Sequence, residues 1–153
     1  MMNWILLVMA TIAAVMVAML LGGAMAPRTR RSVRSLHAAR HLHDVYACVR
    51  EADGPPRWCA DLPTMHVAAV QAPDRITFTL IDDDGAAMGQ WDVTVAAGRG
   101  GDERTCVTIT ETVTVHNLLL RFLRSLGGNG ARPQRFLEAV ARQLDVPADI
   151  HAA

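Results

Sequence analysis

The chain contains no lysine: its 15 basic residues are all arginine, and 15 acidic residues bring the formal net charge to zero. A balanced chain carries no general signal for nucleic acid or for acidic partners. Cysteine is scarce. Cys48, Cys59 and Cys106 are odd in number and show no C-x-x-C spacing, which argues against a disulfide framework and against a zinc knuckle. They read as small buried apolar residues. The sequence also lacks H-E-x-x-H and G-x-S-x-G, and no Cys–His pair stands out. "GRGG" and "GGNG" have neither the lysine nor the serine or threonine of a phosphate loop. Asp82, Asp83 and Asp84 form an acidic turn without the EF-hand pattern. These gaps imply neither metal nor cofactor. At 153 residues without internal repeats, the chain is long enough for one ordinary domain.

Charge is missing altogether from Trp4 to Ala26, "WILLVMATIAAVMVAMLLGGAMA". At about 1.5 Å per helical residue such a run spans the ~30 Å hydrocarbon core of a bilayer. It exceeds the apolar region of a cleaved signal peptide, the rival reading, and "MMN" lacks a basic start. "AMA" resembles a cleavage site, but Pro27 follows directly. Positive charge comes after the span, at Arg28, Arg30, Arg31 and Arg34. The positive-inside rule then predicts a single-pass anchor over residues 1–27 with a cytoplasmic C-terminal domain. The same arginines would lie near anionic headgroups.

Residues 28–38 read as a basic connector with a possible first strand, "SVRSLHA". In "RHLHDVYACVREA", Leu42, Val45, Tyr46 and Val49 recur with helical spacing, and "DGPP" ends the helix. Strand patterning follows in "MHVAAVQA", "RITFTLID", "QWDVTVAA" and "RTCVTITETVTVHN", separated by glycine-containing turns. The period then lengthens. "NLLLRFLRSL" and "RPQRFLEAVARQLDV" read as helices, and residues 148–153 as a frayed tail. The expected class is α+β: a curved antiparallel sheet whose apolar face is closed by a C-terminal helix.

His37 and His41 are four apart, but the helix begins near residue 40, which leaves His37 outside it. With His43 and Asp44 they read as a solvated helix start rather than a metal site. His66 and His116 read as strand or strand-end residues. The fourth strand raises a sharper question, since Glu111 stands in the apolar row Val107, Ile109, Val113, Val115. A buried carboxylate must be compensated. Arg104, Arg121 and Arg124 are its conceivable partners, a rim position where the carboxylate reaches water is the other structural reading, and a polar anchor or general acid/base is the functional alternative. Tyr46, Trp58, Phe78 and Trp91 are candidates to line an apolar cavity.

"TCVTITETVTVHNLLLRFL", followed by "RFLEAVARQLD", resembles the end of the START-like (SRPBCC) superfamily, which includes polyketide cyclase/dehydrase and lipid-transport proteins. Thr105, Thr108, Ile109, Thr110, Glu111, Asn117, Arg121, Phe122, Phe136, Leu137, Val140 and Leu144 carry the match. Tyr46 and Trp58 resemble the family's first helix and the turn after it. Many membrane-anchored bacterial members also begin with one hydrophobic helix. Leu118 and Val113 depart from the pattern, where proline and glycine are common, and the segment before "RITFTL" is short by one or two strands. The resemblance implies a helix-grip domain over residues 39–147 with an apolar cavity between sheet and helix. Tyr46, Trp58, Phe78, Trp91, Ile109, Glu111, Val113, Phe122, Phe136 and Val140 are the pocket candidates it points to. A membrane-anchored domain at the bacterial inner membrane that binds a hydrophobic small molecule or lipid is the leading expectation. The alternatives are a cyclase or dehydratase with Glu111 as acid/base, and a non-catalytic, membrane-proximal interaction module with a collapsed pocket.

Overall fold

Helix α1 (Met2–Met25) forms from the uncharged run, and its residues Asn3–Met25 are long and apolar enough to cross a membrane, a property shared with signal sequences. The computed structural model describes residues 2–53, 58, 62–81, 85–98, 104–126 and 131–152. The chain divides into two units, Met1–Arg30 with Thr114–Asn129, and Arg31–Val113 with Gly130–Ala153.

The first unit holds α1 and helix α3 (Leu118–Leu126), which pack on one another. Asn117 starts α3: its side-chain oxygen accepts the backbone N–H groups of Leu119 (2.9 Å) and Leu120 (3.3 Å), satisfying donors that the first helical turn leaves open. Two glycines near the end of α1 permit the close approach. A Cβ at Gly23 would overlap the Leu118 carbonyl, and one at Gly22 would fall 2.7 Å from the Phe122 ring.

The second unit is α+β. Strands β1 (Thr29–Ala38), β2 (Thr64–Gln71), β3 (Arg75–Ile81), β4 (Ala87–Ala97), β5 (Thr105–Thr114) and β6 (Asp149–Ala152) form one antiparallel sheet. Their order is β2-β3-β4-β5-β1-β6; β1 starts before Arg31 and β5 ends beyond Val113. Alternation places Ile76, Phe78 and Leu80 of β3 and Trp91, Val93 and Val95 of β4 on the buried face. Register stacks them in rows across the sheet: Phe78 opposes Trp91, which opposes Glu111, and Ile76 opposes Val93, which opposes Ile109. Irregular pairings between Val67 and Ala69 and between Leu80 and Ile81 interrupt the ladder, as bulges that bend strands do.

Helices α2 (Leu42–Arg50) and α4 (Ala131–Gln143) contribute Val45, Cys48, Val49, Phe136, Leu137, Val140 and Ala141 to the same core. Helix α4 ends in a Schellman turn. Asp145 takes φ 52°, its N–H reaches the Arg142 carbonyl at 3.2 Å, and the Val146 N–H reaches Ala141 at 3.0 Å.

Two features differ from the sequence reading. The first strand begins at Thr29, inside the segment read as a connector, because pairing rather than side-chain alternation makes it a strand. The tail is not frayed: Asp149, Ile150, His151 and Ala152 pair with His37, Leu36, Ser35 and Arg34. Without that pairing the β1 edge would present open hydrogen-bonding groups. Among the described residues, β2 is the single strand between α2 and β3. Of the expected turns, "DGPP" (53–56) and "GRGG" (98–101) lie partly outside the described residues, and the acidic turn at 82–84 and "GGNG" (127–130) wholly so.

Candidate functional site

Glu111 is buried, 9% exposed, on the inner row of β5. Its Oε1 accepts the indole N–H of Trp91 at 3.1 Å, and its Oε2 accepts the Ser32 hydroxyl at 3.2 Å. Among the described residues, its side-chain partners are these two neutral donors rather than Arg104 or Arg121. Arg121 is engaged elsewhere: its guanidinium donates to the carbonyls of Val115 (2.8 Å), His116 (3.2 Å) and Gly23 (3.5 Å), within the first unit. Arg104 is exposed, and the Arg124 side chain lies outside the described residues. Ser32 escaped the sequence reading because nothing local marks a serine in a basic stretch as facing a residue 79 positions away.

An aromatic cluster lies beside this network. The Phe136 ring meets Trp91 edge-on at 5.4 Å between centroids and Trp58 at 5.6 Å. Phe78, Ile109 and Val140 are fully buried in the same core, and Tyr46 and Trp58 pack against it half-buried. The Tyr46 hydroxyl is itself buried and, among the described residues, has no hydrogen-bond partner. Such an orphan costs about 1–3 kcal/mol and calls for an explanation. Of the expected pocket residues, the structure gathers Tyr46, Trp58, Phe78, Trp91, Ile109, Glu111, Phe136 and Val140 around one interior. Val113 is half-buried near the end of β5, where a Cβ on Gly89 would come within 3.1 Å of it. Phe122 belongs to the first unit, against α1 at Gly22.

Cys48 faces the core. Burial, and then the negative charge of Glu51, push its thiol up to about 11. Cys106 is half-buried, and Cys59 lies outside the described residues, as do Asp82, Asp83 and Asp84. His37 is exposed on β1 with its ring 5.8 Å from that of His151. His41 occupies the N-cap of α2 without a side-chain capping bond. His41 and Asp44 line an open cleft of about 380 Å³ with Ala39, Arg40 and Arg104. Arg40 and Arg104 are too far apart in sequence for any motif to announce that cleft.

A solved structure of a conserved protein from Geobacillus kaustophilus superposes with a TM-score of 0.54 at 12% identity, covering 80% of this chain and 99% of the other. A solution structure from Thermobifida fusca gives 0.48 at 18% identity, over 80% and 99%. A crystal structure from Deinococcus radiodurans gives 0.46 at 14%, over 76% and 100%. No family model and no curated protein matches the chain. The Geobacillus likeness establishes a shared fold and carries no activity with it.

Proposed function

We propose that the second unit is a START-like helix-grip domain that takes a hydrophobic small molecule or a lipid between its sheet and α4, tethered by α1 to the cytoplasmic face of a bacterial inner membrane. One observation carries the reading: the Tyr46 hydroxyl is buried, without a partner among the described residues, and set against an apolar core. A ligand's polar end would satisfy it. The ligand's apolar body would gain about 25 cal/mol per Å² removed from water. Tethering favours this role, since apolar ligands partition into bilayers and a tethered site meets them at high effective concentration. Arg28, Arg30 and Arg31, just after the apolar run, support the cytoplasmic orientation.

Native mass spectrometry of the full chain, purified in detergent with co-purifying lipids, tests the proposal. A bound species should be retained, and Tyr46→Phe should lower its occupancy. Repeated absence of any bound species from the wild type overturns it.

A second reading has its own support. Phe136 touches both Trp58 and Trp91, which favours a filled interior and a membrane-proximal interaction module. In that case Tyr46→Phe stabilises the fold by removing an orphaned hydroxyl, and no ligand is lost. The enzymatic alternative would have Glu111 as acid/base, and activity surviving in Glu111→Gln would exclude it.

A further inference from the structure

Helix α3 combines an unusual exposure with a specific docking. Leu119, Leu120 and Leu123 are 44, 48 and 49% exposed. Spaced i, i+1 and i+4, they share a stripe about 100° wide. The helix is not free in solution: it packs on α1 through Gly22 and Gly23. α1 has 24 residues and is about 36 Å long, against a hydrocarbon core of about 30 Å. The glycine pair sits in its last turn, so α3 meets α1 at headgroup depth if α1 spans the bilayer.

From this geometry we infer that α3 is a second membrane element, lying in the headgroup–acyl boundary beside the end of α1 with Leu119, Leu120 and Leu123 in the acyl region. This rests on the reading of α1 as membrane-embedded. Three observations select a bilayer as the occupant. The leucine stripe belongs to the same unit as the exposed apolar surface of α1. Arg121 does not oppose insertion, because its guanidinium is taken up by the carbonyls of Val115, His116 and Gly23. The α3 N-terminus is closed by Asn117, so its first amides do not need water. A short helix with one apolar stripe, a closed N-terminus and a satisfied Arg121 is suited to an interfacial position.

The test uses the full chain in vesicles of phosphatidylethanolamine and phosphatidylglycerol, in a Cys48→Ala, Cys59→Ser, Cys106→Ser background. An environment-sensitive fluorophore is placed singly by Leu120→Cys, Leu123→Cys, Val15→Cys or Gln143→Cys. The Leu120 and Leu123 labels should emit blue-shifted and be quenched by lipids nitroxide-labelled high on the acyl chain, several-fold more than the Gln143 label. Water-like emission with iodide quenching at both leucine sites, while the Val15 label is quenched by lipid, overturns the inference and leaves α1 in the membrane. Shielding of both leucine labels from lipid nitroxide and from iodide also overturns it, and points to a protein or a second copy as the cover. A Val15 label that lipids do not quench removes the membrane reading of α1 and this inference with it.

Discussion

The indole N–H of Trp91 donates to Glu111 Oε1 at 3.1 Å, and the two residues stand directly opposite one another in the β4/β5 ladder. This is why a glutamate stands in an apolar row. Tryptophan brings a large apolar body and one obligatory donor into the core. The carboxylate opposite supplies the acceptor, and Ser32 from β1 engages its other oxygen. Glu111 thus links three strands of the sheet by its side chain.

Removing that acceptor should be expensive. Glu111→Ala leaves the Trp91 N–H buried without a partner, which costs about 1–3 kcal/mol. Glu111→Gln keeps a carbonyl oxygen for Trp91 and an amide that can donate to the Ser32 oxygen, and should cost less. Denaturant midpoints of the two variants check this. Equal losses would show that Trp91 does not depend on Glu111 as acceptor.

Asp145 offers a gain in stability. It is a non-glycine residue at φ 52° in the Schellman turn that ends α4. The left-handed conformation costs an L-residue about 1–2 kcal/mol, and glycine's added chain entropy takes back about 0.5–1. Asp145→Gly should therefore raise the thermal midpoint modestly, whereas Asp145→Val should lower it. A lowered midpoint for the glycine variant would mean that the Asp145 side chain has a role of its own.

The sequence disclosed the elements better than their contacts. Period-two runs located β3, β4 and β5, and the change of period located α3 and α4, because burial of one face imposes those spacings locally. Strand β6 could not be read that way. "DIHA" is a strand only because the edge of β1 lies beside it, more than a hundred residues away in sequence. The partners of Glu111 failed for a related reason. Charge alone suggested the arginines, but register decides which side chains meet, and register put Trp91 opposite. Phe122 looked like a pocket residue through resemblance, yet "LLLRFLRSL" packs on α1, where two glycines leave room for it. Asn117 was legible as a marker of the family pattern, and its capping bonds give a structural reason for an asparagine there.

Cys48 should make stability depend on pH in the alkaline range. Its thiol sits at about 11 in the folded chain against an ordinary 9.0, first through burial and then through Glu51. Between those values the native state keeps a proton that the unfolded chain releases, so stability falls as pH rises through the window. The contribution is complete below pH 9.0 and gone above about 11. Denaturant midpoints measured across that window should fall less steeply in Cys48→Ala. An unchanged slope would show that other groups dominate.

Gly23 should be the most sensitive position in the α1–α3 contact. A Cβ there overlaps the Leu118 carbonyl, and both sides of that contact are backbone, so neither can swing aside. Gly23→Val would force the helices apart and break the long bond from Arg121 to the Gly23 carbonyl. At Gly22 the added Cβ meets the ring of Phe122, a side chain that can rotate, so Gly22→Ala should be milder. Hydrogen exchange in detergent or nanodiscs reads the difference. In Gly23→Val the amides of residues 121–123 should exchange at least about tenfold faster, the effect of losing about 1.4 kcal/mol of protection. The amides of β3 and β4 should not change, because those strands belong to the other unit. Equal acceleration in the two glycine variants would mean that α3 is held by its cap and its leucines rather than by close approach to α1.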